Sequence, residues 1–520
     1  MKNLLTIAAV FLMLNVAAQT QYPDTTREFR GVWVATTKMI DYPKARNMTA
    51  QQLQKNYTDL LAVWKAAGYN AVIFQVRPAA DAFYKSDYEP WSEWLTGKQG
   101  RAPSPYYDPL EFMVEKTHAQ NMEFHAWFNP FRAVATIQYA DVCASHISKT
   151  KPEWFFTYGG SKYFNPGLPE VRDYLVKIIV DVVKRYDIDG VHFDDYFYPY
   201  PVSAGNGKFE EIPDGTAFRQ YPNGFSDIKD WRRNNVNIFV EQVNKAIKAV
   251  KPWVQFGIGP AGVWRNKQQD PDGSDTKSLS GYDYLYADVL AWLKGGWIDY
   301  AAPQIYWNIN HKTNKFESVV QWWNNHSYGR NIYIGIGAYN QEKPADGWGD
   351  PNEVANQIKI CRKFPNVQGV VVYRSTTLVQ NPLKMVDVVK KQCFNNYCMM
   401  PKMPWLDNRP QNIDLEVIKR QNEFLVMWNK DNGKKLPEAE ATVFYSVFRV
   451  KGKHPDFVPS SENFVKNISE SNLKLFRKKR FVLFGGNFYT YKIVAYNRNH
   501  AESQPSEPII IKYGKKDAVE

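Results

Sequence analysis

Cysteine is scarce, four in 520 residues with no CxxC pair. That excludes a disulfide-stapled scaffold and a CxxC zinc or redox site. Histidine is nearly as scarce, and the eight present contain no HxxxH pair, so the usual helical metal clamp is missing. No GxGxxG follows the first strand-like run, which leaves a dinucleotide site without support. No later stretch approaches the about 18 consecutive apolar residues of a membrane span. Aromatics, by contrast, are abundant: 17 Trp, 32 Tyr and 30 Phe, 15% of the chain. Lys and Arg outnumber Asp and Glu by 65 to 53, a net +12. Nucleic acid, an anionic surface and sugars are therefore the partner classes to separate. A 44% hydrophobic content with 23% charged residues excludes wholesale disorder.

The N-terminus has Lys2, an apolar stretch from Leu4 to Val16, and small residues at Val16-Ala17-Ala18. This predicts a secretory signal peptide over 1–18 and an exported mature chain. Export would permit disulfides, and Cys393 and Cys398 stand close enough in sequence to close a small loop, although spacing alone assigns no pairing.

From Phe29 to Tyr373, short β-branched and apolar runs alternate with amphipathic stretches. Eight runs read as strands: Gly31–Val34, Ala71–Phe74, Glu123–Trp127, Gly190–Phe193, Val254–Ile258, Tyr300–Pro303, Ile332–Gly335 and Gly369–Val372. Helical spacing separates most of them, as over Leu53–Ala67, Val171–Tyr186 and Val236–Val250. Eight βα units predict a (β/α)8 TIM barrel with loop insertions over 27–395. The Pro-punctuated segment 396–410 reads as a linker. Beyond it, 411–513 shows only strand alternation and predicts a small all-β sandwich, with 514–520 a tail.

In such a barrel the chemistry sits where strands end. The fourth strand end reads Gly190-Val191-His192-Phe193-Asp194-Asp195-Tyr196. Alternation puts His192 and Asp194 on one face and Val191 and Phe193 on the other. The apolar pair should meet the helices, so His192 and Asp194 should point into the mouth. Adjacent carboxylates beside an imidazole are costly as mere packing, and they shift each other's pKa as acid/base chemistry requires. Asp194 and Asp195 are thus the catalytic candidates. The other strand ends add Arg77, Asp81, Trp91, His125, Trp127, Asn129, Trp264, Arg265, Asn266, Gln304, Tyr306 and Trp307. With His192 and Tyr196 they form a substrate-binding set, since aromatic faces pack on sugar C–H faces and polar side chains bond hydroxyls.

The runs Glu28-Phe29-Arg30-Gly31-Val32-Trp33, Gln75-x-Arg77-Pro78, Trp127-x-Asn129-Pro130, Gly190-x-His192-x-Asp194-Asp195-Tyr196, Gly262-x-Trp264-Arg265-Asn266 and Pro303-Gln304-x-Tyr306-Trp307 together resemble the glycosyl-hydrolase-like 10 family of bacterial exported proteins. The resemblance covers about 27–375 in order. It implies a TIM-barrel glycosidase, periplasmic or extracellular, with some relatives acting on cell-wall glycans. Tyr489-x-Tyr491-x-Ile493-x-Ala495-x-Asn497 and Trp428 similarly resemble a fibronectin type III module.

The His192-x-Asp194 placement is also similar to the fourth strand of the α-amylase superfamily. That likeness implies Asp194 as nucleophile or base, with Asp195 the second choice. The same pattern wants a glutamate after strand five, where this chain has Gly259-Pro260-Ala261. A second carboxylate would then come from a loop, with Asp81, Glu89, Asp270 and Asp283 as candidates. A metal-dependent deacetylase is disfavoured by the histidine spacing, and no cofactor or metal is expected. The alternative is a catalytically silent glycan-binding protein on the same scaffold. Residues 410–520 hold 19 Lys and Arg against 13 Asp and Glu, +6 of the total +12, densest at Arg477-Lys478-Lys479-Arg480. With no nucleic-acid motif beside it, this run reads as a solvated turn that could associate with an anionic envelope polymer.

Overall fold

The structure, a computed structural model, describes residues 27–137, 142–343, 345–406, 410–419, 423–476, 487–513 and 518–519. The expected signal peptide, the basic run Arg477–Arg480 and most of the tail lie outside the described residues.

Eight parallel strands carry the first unit: β1 (Phe29–Val34), β2 (Ala71–Arg77), β3 (Glu123–Phe128), β4 (Gly190–Phe193), β5 (Gln255–Ile258), β6 (Tyr300–Ala301 and, after a break at Pro303, Gln304–Ile305), β7 (Asn331–Ile336) and β8 (Val367–Val372). Their order is β6-β5-β4-β3-β2-β1-β8-β7, and β7 returns to β6, so the barrel is closed. All eight predicted runs are strands. Helices follow each in turn: α1 (Ala50–Ala67), α2 (Pro109–His118), α3 (Pro169–Arg185), α4 (Ile228–Val250), α5 (Val289–Gly295), α6 (Phe316–Asn325), α7 (Glu353–Cys361) and α8 (Met385–Gln392). Local chemistry sets their ends. Thr49 and Gln52 form a reciprocal capping box on α1, and Asp227 accepts from the Lys229 and Asp230 amides at the start of α4. Insertions enlarge the mouth, with a three-stranded sheet between β3 and α3 and a hairpin between β4 and α4.

Outward-facing Val32, Phe74, Phe124, Val191 and Phe193 pack with the helices in one continuous core. The interior is filled differently, by Phe29, Trp33, Ile73, Trp127, Tyr300 and Tyr333 together with buried His125 and His192. Two glycines make room for these large rings. A Cβ on Gly190 would lie 2.3 Å from His125, and one on Gly257 would lie 1.9 Å from the Tyr300 ring.

The second unit forms two antiparallel sheets. One is β9 (Leu415–Lys419), β10 (Glu423–Trp428) and β13 (Asn472–Phe476), in that order. The other runs β12 (Phe464–Ile468), β11 (Thr442–Lys451), β14 (Asn487–Asn497), β15 (Ile509–Tyr513), with Ala518–Val519 at its edge. Trp428, Val426 and Leu473 from the first share a core with Tyr445, Val447, Ile493 and Ile511 from the second. This unit meets the end of the barrel opposite the mouth. Arg498 pairs with Asp187 at 2.8 Å, His500 with Glu123 at the start of β3, and Arg27 with Glu502. No disulfide joins the four cysteines, and Cys361, Cys393 and Cys398 are buried. No helix among the described residues is long and apolar enough to cross a membrane.

Candidate active site

At the C-terminal end of β4, Phe193 turns outward and stacks on Phe239 of α4 at 5.7 Å. His192 points inward, as alternation requires. Asp194 follows at the rim, half-buried. Its Oδ2 accepts from Asn129 Nδ2 at 3.1 Å, and its Oδ1 accepts from Gln304 Nε2 at 3.2 Å and its neighbour's backbone N–H at 2.9 Å. The two carboxamides are themselves oriented. Backbone N–H groups of Thr36 and Thr37 donate to Gln75 Oε1 at 2.8 Å, and Gln75 Nε2 donates to Asn129 Oδ1. The Asn129 amide can therefore only donate toward Asp194 and toward the Tyr196 hydroxyl at 2.9 Å. Gln304 spends its other hydrogen on the Gly259 carbonyl at 2.9 Å. β1, β2, β3 and β6 thus all contribute to presenting one carboxylate.

Asp195 is treated oppositely. It is 6% exposed, and Tyr200 O–H donates to its Oδ2. Burial first, and the adjacent Asp194 second, push its carboxyl well above the usual carboxylate range. One member of the pair is surrounded by donors suited to an anion, and the other has its carboxyl shifted toward the acid form. Aromatics wall the site. Tyr306 stacks on Tyr373 at 5.8 Å, Tyr339 meets Tyr373 edge-on at 5.7 Å, and Trp33 meets it at 6.4 Å. Trp127 lies edge-on to His192 at 6.4 Å, and its indole N–H has no hydrogen-bond partner among the described residues.

Of the predicted set, Asp194, Asp195, Asn129, Tyr196, Gln304, Tyr306, Trp127 and His192 are brought together here. The others have different partners. Arg77 is fully buried, paired with Glu89 at 2.6 Å, and donates to the Asn129 and Pro130 carbonyls at 2.7 and 2.9 Å. It props the β3 end from behind. His125 lies deeper in the barrel, between Tyr300 and Glu123. Asp81 lines a separate cavity of about 340 Å³ with Lys38, Arg46, Trp94 and Gln99, and burial raises its carboxyl to about 7. Trp91 packs edge-on to Tyr106, and Trp264 stacks on Trp322. Arg265 is held by Asp270 and Asp283 at 2.9 and 3.0 Å. Asn266 ties its own loop together through Thr276, Ser278 and Gln269. Trp307 packs on the helix layer and meets His311 at 6.1 Å. Glu89 is thereby paired with Arg77, while Asp270 and Asp283 share Arg265. Gln75, Tyr200, Tyr373 and Trp33 belong to the site and were not among the candidates. Gln75 shares strand parity with inward-facing Ala71 and Ile73, a signal that could have found it. Among the described residues no group of three or more His, Cys, Asp or Glu is placed to hold a metal.

A closed parallel barrel that presents an aspartate pair between aromatic walls at its C-terminal rim is a glycosidase-type TIM barrel. The chain belongs to the glycosyl hydrolase-like 10 family, whose profile matches residues 28–349. It is 40% identical over 500 residues to "Glycosyl hydrolase YngK" of Bacillus subtilis, covering 93% of each chain. It is 35% identical over 399 residues to "Glycosyl hydrolase DigH" of Escherichia coli K12, covering 70% of this chain and 88% of that one. Among solved structures, the glycoside hydrolase domain of PgaB (BpsB) from Bordetella bronchiseptica is similar at a TM-score of 0.47 and 13% identity, over 70% of this chain and 98% of that one.

Proposed function

We propose that this chain is an exported glycoside hydrolase that cleaves O-glycosidic bonds of a polysaccharide, with a bacterial cell-wall glycan as the substrate class to test first. The observation that carries the reading is the division of labour between adjacent aspartates. Asp195, whose carboxyl burial shifts toward the protonated form, is the proton donor to the leaving oxygen, and Asp194, surrounded by hydrogen-bond donors, attacks or stabilises the oxocarbenium-like sugar. Asn129, Tyr196 and Tyr306 orient hydroxyls, while half-buried Tyr373 offers a sugar-stacking face backed by Trp33. The names of the two relatives support the hydrolase class. Product analysis by mass spectrometry, after incubation with purified peptidoglycan and a panel of bacterial and plant polysaccharides, tests it. Calorimetric binding without any product would favour the silent glycan-binding alternative.

The acid role has a pH signature. Asp195 must be protonated to act, so activity should fall as pH rises through its elevated pKa. The Tyr200 hydrogen bond favours the charged form and pulls that pKa down. Tyr200→Phe should therefore move the alkaline limb of the kcat/KM profile to higher pH. A shift to lower pH would remove Asp195 from the acid role.

The second unit is proposed to be a fibronectin type III-like module. The strand order β9-β10-β13 over β12-β11-β14-β15 and the core Trp428 support this reading. The basic run at Arg477–Arg480 is proposed to hold the exported chain on an anionic envelope polymer. Two measurements check this: the mature mass should lack the first 18 residues, and retention on isolated cell walls should weaken with salt. Salt-independent retention would remove the electrostatic part.

A further inference from the structure

A chain of hydrogen bonds runs through the barrel interior from the mouth to the second unit. Trp33 Nε1 meets His192 Nε2 at 3.1 Å, and His192 Nδ1 meets the Tyr300 hydroxyl at 3.0 Å. The same hydroxyl meets His125 Nδ1 at 2.9 Å, and His125 Nε2 meets Glu123 Oε2 at 3.1 Å. Glu123 Oε1 then contacts His500 Nε2, and His500 Nδ1 lies 3.0 Å from the Pro401 carbonyl. Every member is buried, Pro401 included, apart from Glu123 at 12% side-chain exposure.

The protons in this chain have one consistent arrangement. An indole N–H only donates. His192 Nε2 must therefore accept, so the neutral ring carries its proton on Nδ1 and donates it to Tyr300. Tyr300 passes its own proton toward His125 Nδ1, which leaves His125 protonated on Nε2 and donating to Glu123. The far end dictates the same direction independently, because a carboxylate only accepts. His500 faces two acceptors, a carboxylate and a carbonyl, so both its nitrogens donate and it is an imidazolium. Burial works against that charge, but Glu123 outweighs it and His500 is raised above the ordinary histidine range. Gln255 Nε2 also donates to Glu123 at 3.2 Å. The other charges facing this end, Arg27, Lys402 and Glu502, are paired with one another.

We propose that His500, supplied by the second unit, is a positioning residue for the barrel mouth, because its charge fixes the direction of this chain and with it the His192 tautomer that holds Trp33. Without the imidazolium, Glu123 is a buried anion lacking its counter-charge, and the other imidazole in contact with it, on its second oxygen, is His125. A doubly protonated His125 would donate to Tyr300. The Tyr300 proton would then have no acceptor unless His192 moved its own proton to Nε2, where it would oppose the Trp33 N–H. Trp33 contacts Tyr373, which stacks on Tyr306, so the disturbance ends at the aromatic wall beside Asp194. The inference goes beyond the hydrolase reading and does not depend on it.

The test is histidine-selective ¹⁵N labelling of the full chain, with tautomers read from two-bond ¹H–¹⁵N spectra in the absence of substrate. The unmodified protein should show His500 with two protons, His125 with one on Nε2 and His192 with one on Nδ1. His500→Gln should add a proton to His125 or move the His192 proton to Nε2, and His500→Lys, which restores the charge, should return both to the starting state. A neutral His500 in the unmodified protein, unchanged His125 and His192 in the glutamine variant, or no rescue by lysine would each overturn the proposal. Should the glutamine variant not fold, Glu123→Gln addresses the pair from its other side. His500 should then drop to a single proton, and a His500 still doubly protonated there would also overturn it.

Discussion

Asp194→Asn should cut turnover by about 10²–10⁴-fold, the range that a positioned acid or base contributes, while leaving the fold intact. The side chains are nearly identical in shape, so packing is not at issue. The chemistry is. Both Asp194 oxygens accept hydrogen bonds, from Asn129 on one side and Gln304 on the other. An asparagine offers a single acceptor, so its N–H₂ must face one of these donors, and the negative charge is lost as well. Substrate affinity should therefore weaken alongside kcat. Asp195→Asn should be equally inactive yet lose the alkaline limb of the pH profile, since no acid remains to ionise. Rates of product release, with thermal unfolding as a control for folding, check both. Full activity in both variants would end the catalytic assignment.

Arg77→Ala should lower unfolding stability by about 3–5 kcal/mol, because it strands the buried Glu89 carboxylate without its partner. The side chains of this pair are 1% and 0% exposed. The substitution also takes a donor from the Asn129 and Pro130 carbonyls, so activity should decline through loss of order at the β3 end. Replacing both Arg77 and Glu89 with methionine strands no charge and should be far milder. Chemical denaturation of the barrel transition measures each. A stable Arg77→Ala protein with weakened substrate affinity would instead make Arg77 a substrate contact.

The two arginines picked out from the strand ends show why part of the site was legible and part was not. Strand positions followed from β-branched runs, and the inward facing of His192 followed from two-residue alternation. Asp194, Asn129 and Gln304 came together because each lies within two residues of a strand end, where the barrel fixes direction. Arg77 ends its strand and Arg265 sits in the loop after β5, yet both long side chains reach carboxylates on loops, Glu89 in one case and Asp270 and Asp283 in the other. Sequence carries no signal for such pairings across irregular backbone. Tyr200 was missed for the same reason, since it returns to Asp195 over a five-residue turn. Trp264 shows a different effect: a large aromatic in the loop after a strand can satisfy packing as readily as ligand stacking, and its ring stacks on Trp322.

The run of carboxamides from Gln75 through Asn129 to Asp194 also bears on how this protein ages. Its polarity depends on nitrogen and oxygen occupying particular ends of each amide, and conversion of Asn129 to aspartate would place one anion against another. Asparagine ordinarily suffers that change when the following peptide nitrogen attacks its side-chain carbonyl. After Asn129 that nitrogen belongs to Pro130, which carries no hydrogen to give up. The residue that orients the site is thereby shielded from that slow hydrolysis.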